Sequence, residues 1–287
     1  MGKCGEVREV EVGEKIFART LSDSRRTRHT LRRFEDATEG VRTLYRVQRS
    51  HQTLDYVLSM KQRWLTTQHE AIPMHEAIEL LNAFVDVSDP DVTLPNVVHA
   101  FQTAERARVA GEPYWFVLCC LIHDVGKVMF RWGDDETGTT LQTQWGIVGD
   151  TFVVGAPLPD ILCFPEFNPP HQYSSINGIY DEKCGLESLH LSFGHDEYLY
   201  QVLKRHPHCT IPEHGLLAIR YHSCYALHST SAYDHFLHDM DFETVRCAKR
   251  LSGYDLYSKN APKPDIDDLW PFYKTLLEQY CGGEVCF

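Results

Sequence analysis

No apolar run in this 287-residue chain approaches the roughly 18 residues that a membrane-spanning helix requires; the longest extends from Trp115 to Ile122. No basic-then-apolar leader opens it, so secretion and membrane insertion are not expected. Also missing is any Cys-x-x-Cys pair. The ten cysteines are scattered, apart from adjacent Cys119 and Cys120, and read as reduced packing thiols of a cytoplasmic protein rather than a disulfide framework. Positive charge is scarce: 28 Lys and Arg face 40 Asp and Glu, and the net charge of −12 disfavours nucleic-acid and anionic-membrane partners while suiting a neutral ligand. There is no internal repeat, no low-complexity tract and no Gly-rich phosphate loop, and few segments alternate as strands do.

What remains is a chain whose 43% hydrophobic content can bury a large core, with apolar residues recurring at helical spacing. Helices are predicted over Ile72–Val87, Asn96–Ala110, Pro113–Gly126, Leu186–Lys204, Pro212–Leu227, Met240–Leu251 and Ile266–Tyr280, with helical patterns dominating from about residue 41. The fold class is therefore all-α. Between them, Phe130 to Tyr180 is rich in Gly, Pro, Asp and Thr and reads as a long mid-chain loop excursion. Residues 1–30 read as a polar N-terminal segment and 31–287 as one domain. The cluster Arg25, Arg26, Arg28, Arg32 and Arg33 fits a solvated segment better than a nuclear signal or nucleic-acid arm, given the acidic remainder.

Sixteen histidines are available as metal ligands, and a few sit in telling places. His123 and Asp124 stand side by side at the end of the apolar Trp115–Ile122 stretch. A carboxylate buried there needs a partner, which a bound cation would supply, although in isolation a capping Asp beside a satisfied His is by far the better reading. His99, His195 and His222 are each embedded among aromatic or aliphatic residues on a helix of their own, and helices in a bundle can converge imidazoles on one point. Asp255, flanked by Tyr254 and Tyr257, is a sixth candidate whose bland alternative is a C-terminal turn residue. Four imidazoles and two carboxylates suit iron better than a thiolate site would, and they suffice for two ions.

The segments Ser50-His51-Gln52-Thr53, Ser88-Asp89-Pro90-Asp91, His99 to Glu105, His123-Asp124-Val125-Gly126-Lys127, Val148 to Phe152 and Gly194-His195-Asp196-Glu197-Tyr198 occur in an order that resembles the myo-inositol oxygenase family of the HD-domain superfamily. The likeness runs over nearly the whole chain from about residue 31, and implies an HD-domain-like helical bundle. It implies one iron held by His99, His123 and Asp255, another by His195 and His222, with Asp124 bridging them in a mixed-valent Fe(II)/Fe(III) pair. It further implies O2-dependent cleavage of myo-inositol to D-glucuronate, the substrate chelating the iron held by His195 and His222. Lys127, three residues after Asp124, shares a helical face with it and would stabilise an alkoxide; alone it reads as a helix-end lysine. By the same likeness the polyol shell comprises Asp86, Lys127, Ser223 and His228, with Arg32 and Tyr45 in a cover over the site. A gap makes Arg33 a competitor for the place of Arg32.

Two departures stand out. The connection Arg131–Gln144 is longer than the family's and reads as a surface insertion, and Ala226-Leu227 replaces a Pro-Trp pair before His228. The competing reading, an HD-type metal-dependent phosphohydrolase, lacks a basic cluster around the ligand segments apart from Lys127. A binding module that keeps the metals without catalysis leaves the polyol shell unexplained. A monomer is expected.

Overall fold

The computed structural model describes residues 34–90, 94–170, 172–258 and 263–287, apart from the side chains of 257 and 258. Arg32 and the rest of the arginine cluster lie outside the described residues. Among those described, ten α-helices surround one apolar core, and the only sheet has two short strands, as the all-α expectation requires. None of these helices is long and apolar enough to cross a membrane.

Two helices open the fold, α1 (Glu39–His51) and α2 (Leu54–Thr66). Each begins at a threonine, Thr38 or Thr53, whose hydroxyl accepts a first-turn backbone N–H that would otherwise lack a partner. The helix expected over Ile72–Val87 is shorter. Ala71–Pro73 forms β1, paired antiparallel with β2 (Glu284–Cys286) in the register Ile72↔Val285, and α3 (Met74–Leu80) follows, tightening into a 3₁₀ turn at Leu81–Ala83. Pro73, with its fixed φ and missing N–H, marks the switch from strand to helix.

The centre is built by α4 (Asn96–Val109) and α5 (Tyr114–Ile122), each preceded by a proline at its N-cap, Pro95 or Pro113. They pack on each other, and every residue of α5 from Phe116 to Ile122 is buried. α5 stops four residues before the predicted Gly126. His123 is its C-cap, and Val125–Arg131 continues as 3₁₀ helix. Crowding explains the break: a Cβ on Gly126 would lie 2.0 Å from the carbonyl oxygen of His195, so only glycine lets this turn meet the next helix.

That helix, α6 (His195–Arg205), starts nine residues later than predicted. Residues 190–192 run extended against 152–154 instead, with Ser192 N–H donating to Phe152 O at 2.7 Å and Val154 N–H to His190 O at 2.9 Å. α7 (Glu213–Tyr221) ends at His222, and the predicted continuation to Leu227 is broken at Ser223-Cys224 before the one-turn α8 (Tyr225–His228). α9 (Asp241–Ser258) runs past the predicted Leu251 and packs on α7 and α4, so Asp255 sits within a helix and not in a turn after it. α10 (Ile266–Cys281) leads into β2.

The excursion from Phe130 to Tyr180 is irregular as read, yet its Ile147, Val148, Phe152 and Val153 are core residues. The insertion reading of 131–144 needs correction. Asp135, Glu136 and Gln142 face solvent, but Thr139 and Gln144 are buried, and the Gln144 amide donates to Val85 O and accepts from Val87 N–H.

Candidate metal centre

His123 and Asp124 occupy the break between α5 and the following 3₁₀ turn, where the chain leaves the core helix and both side chains are almost wholly enclosed. The His123 ring bonds through Nδ1 to Cys120 O at 2.9 Å. A carbonyl only accepts, so Nδ1 carries the proton and Nε2 presents a lone pair. That Nε2 is buried and makes no hydrogen bond. Burial drops His123 to a pKa of about 4, so the imidazole is neutral at physiological pH.

Two more rings are set the same way. His195, the first residue of α6, bonds through Nδ1 to Ile147 O at 2.7 Å, and His222, the C-cap of α7, to Ile219 O at 2.6 Å. Their Nε2 atoms come within 3.4 Å of each other. His99 projects from α4 and meets Asp255 of α9, Nε2 to Oδ1, at 2.9 Å.

Asp124 stands between these pairs. Its Oδ1 lies 3.1 Å from His195 Nε2 and 3.8 Å from His222 Nε2, whereas its Oδ2 lies 3.4 Å from His123 Nε2 and 3.8 Å from His99 Nε2. The six side chains named from the sequence are thus brought to one place, with one carboxylate oxygen facing each group of rings.

The electrostatics favour positive charge at this point. Burial alone would raise both carboxyls, but His123 and Lys127 hold Asp124 well below the usual range, and His99 holds Asp255 at about 2. Burial would likewise lower His99 and His195, yet Asp255 lifts the first, and Asp196 and Asp124 lift the second, above the ordinary imidazole value. A buried, unbonded ring nitrogen beside two ionised carboxylates and three further imidazoles fits a divalent or trivalent first-row metal. Asp196 also comes close to His195 and His222. Its Oδ1 stands near the Nδ1 edge of His195, however, and its Oδ2 accepts the Thr151 hydroxyl at 2.8 Å, so it braces the ring from behind.

A polar cavity opens beside these groups, lined among others by Asp86, Ser88, Asn96, Lys127, Asp150 and Ser223. Lys127 lies in the 3₁₀ turn, where residues three apart eclipse, and this geometry, not an α-helix, puts its ammonium 2.9 Å from Asp124 Oδ2. It also donates to Asp86 Oδ2 at 2.8 Å and Asn96 Oδ1 at 2.9 Å. Burial opposes its charge, but Asp124 and Asp86 more than compensate and hold the ammonium above the usual lysine range. Asp86 is fixed from its other oxygen by Ser88 N–H and Oγ, and Ser223 Oγ sits 3.1 Å from His222 Nε2.

The remaining nominated residues lie one layer back. His228 is off the cavity wall; its Nε2 bonds to His222 O at 2.9 Å and its Nδ1 to Ser229 Oγ. Tyr45 reaches the cavity through Asp150, donating to its Oδ1 at 3.2 Å. Asn96 and Asp150 were not singled out from the sequence. Asn96 donates to Asp124 Oδ2 at 2.6 Å, but an asparagine in the first turn of a helix carries no sign of that role. Asp150 lies in the Val148–Phe152 segment that carries the family likeness, but nothing local marks it as a wall residue; its neighbour Gly149, with φ of 101° and no room for a Cβ beside the Gln48 amide, sets the turn that places it.

A family model described as myo-inositol oxygenase matches residues 38–287. An inositol oxygenase of Danio rerio is 41% identical over 262 residues, covering 88% of this chain and 91% of the relative. Inositol oxygenase 1 of Arabidopsis thaliana is 38% identical over 86% of this chain and 79% of its own length. The Homo sapiens inositol oxygenase is also 38% identical, over 87% of this chain and 89% of its own.

Proposed function

The chain belongs to the myo-inositol oxygenase family, and from that membership we propose that it cleaves the ring of myo-inositol with O2 to give D-glucuronate. The cofactor in this reading is a mixed-valent Fe(II)/Fe(III) pair, one iron on His99, His123 and Asp255, the other on His195 and His222, with Asp124 shared. The observation that carries it is the division of the Asp124 oxygens, Oδ1 toward His195 and His222 and Oδ2 toward His99 and His123. When bound, the iron pair supplies Lewis acidity toward substrate hydroxyls and the redox chemistry for O2.

The chain's own residues do the rest. A polyol has little apolar surface and must recover lost hydration through directional hydrogen bonds. Asp86, held ionised beside Lys127, accepts from substrate hydroxyls, and Ser223 both donates and accepts. Lys127 remains an ammonium, so it is no base; its N–H groups stabilise negative charge on a substrate oxygen that has lost its proton. His228 fixes the backbone of His222, Tyr45 fixes Asp150, and Arg32 is assigned to the cover that excludes water.

We place this activity in the cytoplasm, on a monomer without nucleic-acid or membrane partners; the net charge of −12 and the free thiols among the described residues support this. The test is to load the protein with iron anaerobically, oxidise it partially, add myo-inositol and admit O2. Oxygen uptake matched by glucuronate is expected. Absence of both, or phosphate release from nucleotides with Mn²⁺ or Mg²⁺ in their place, overturns the reading.

A further inference from the structure

Away from the metal centre, two thiols face each other across a backbone pairing. Cys209, in the segment between α6 and α7, forms an isolated antiparallel bridge with Cys281, the last residue of α10. The flanking bond from Thr210 N–H to Tyr280 O, 2.9 Å, identifies Cys209 and Cys281 as directly opposed residues that do not bond to each other through the backbone. At such pairs the Cα atoms stand about 4.5 Å apart with their side chains close, within the range that a disulfide spans. His206 adds a second tie across the same junction, Nε2 to Gly282 O at 3.1 Å.

From this juxtaposition we propose that Cys209 and Cys281 form an oxidisable dithiol, which hydrogen peroxide converts into a disulfide strapping α10 to the α6–α7 segment. Cys209 is the entry point. It is half-buried whereas Cys281 is enclosed, and the neighbouring Cys281 thiol brings it down to about 7, while Cys209 and burial push Cys281 up. The Cys209 thiolate attacks one peroxide oxygen, the O–O bond breaks, and with one proton water leaves behind a sulfenic acid. The Cys281 sulfur then attacks the sulfenic sulfur, its thiol proton leaves with the departing hydroxyl as a second water, and the S–S bond closes. Two electrons pass from the two thiols to one peroxide. The strap closes a loop of about 70 residues that holds α7, which ends at His222, and α9, which carries Asp255, so it resists unfolding of the segment that carries them.

The test treats the full chain, reduced and freed of reductant, with a small excess of hydrogen peroxide. Diamide, a thiol oxidant that needs no iron chemistry, serves in a parallel arm. An intact mass lower by two hydrogens is expected, with tryptic peptide 206–220 joined to 275–287 and released by dithiothreitol. Because the second peptide also holds the exposed Cys286, the link must persist in Cys286→Ser. In Cys281→Ser the link is lost and Cys209 is trapped by dimedone; should that variant fail to fold, Cys209→Ser, at the half-buried position, must lose the link instead. Oxidation of Cys286→Ser should raise Tm by roughly 5 °C. A link through any other cysteine, oxidation without a link, or an unchanged Tm in the linked chain overturns the proposal.

Discussion

Asn96 holds Asp124 and Lys127 with the two ends of one amide, so it fixes which carboxylate oxygen points at which imidazole pair. Groups behind metal ligands commonly account for 10–100-fold in metal affinity. Asn96→Ala is expected to weaken iron binding by about that factor, read by chelator competition, with the fold intact by circular dichroism. Asp124→Asn keeps the shape and removes the charge. One or both irons should be lost from the isolated protein and turnover with them, so full iron retention with normal turnover contradicts the shared role. The adjacent His123-Asp124 pair and Lys127 were legible from spacing and likeness, because each lies in a short segment of distinctive composition. Asn96 was not, since its partners lie 28 and 31 positions away and meet it only through the packing of α4 against α5.

At the level of elements, the centre depends on where helices stop. α5 ends at Ile122 and α6 begins at His195 because the two chain segments approach over Gly126, where a side chain has no room. Gly126→Ala should force the backbones apart. We expect a loss of about 2–4 kcal/mol in chemical denaturation, together with reduced iron content, because His195 moves with its helix. The α6–α7 pair has its own lock, the buried ion pair of Arg220 with Glu197 at 2.5 Å, to which Lys61 adds. Burial alone would raise the Glu197 carboxyl, but Arg220 and Lys61 outweigh it and hold it below the usual value. A depressed carboxyl contributes stability above its unfolded pKa and loses it as pH falls through the folded one. Arg220→Met strands a buried carboxylate, so a loss of about 3–5 kcal/mol is expected at neutral pH. The gap from wild type should narrow only as pH falls below 4.5, the carboxyl's ordinary value, toward the lower pH at which folded Glu197 takes up its proton; a gap independent of pH would mean that the charge is not the cause. Helix periodicity located these elements but misplaced several ends, since Pro73, the pairing of 190–192 with 152–154 and the break at Ser223 answer to distant contacts.

Across the whole molecule, the last residues close the fold on its first half. β2 pairs with β1, Phe287 N–H donates to Glu70 O, and His69 N–H donates to Phe287 O, with Val285 and Phe287 both buried. Each such side chain is worth about 1.5–3 kcal/mol in burial. Removing residues 284–287 should therefore destabilise the protein by about 3–6 kcal/mol in urea titration, and an unchanged midpoint would show that the strand pairing is dispensable. The excursion through 130–180 matters at the same scale, because it brings Gln144 behind Asp86 and Asp150 into the cavity wall.

Sequence alone determined the all-α class, the six candidate ligands that the structure brings together and the family likeness, because helical periodicity and ligand-bearing segments are local properties. The α5 to 3₁₀ transition that aligns Lys127 with Asp124, the placement of Asp255 inside α9, the withdrawal of His228 behind His222, the enlistment of Asn96 and Asp150, and the meeting of Cys209 with Cys281 were decided only by tertiary structure. Each turns on which distant backbone occupies the neighbouring space, and local pattern carries no record of that.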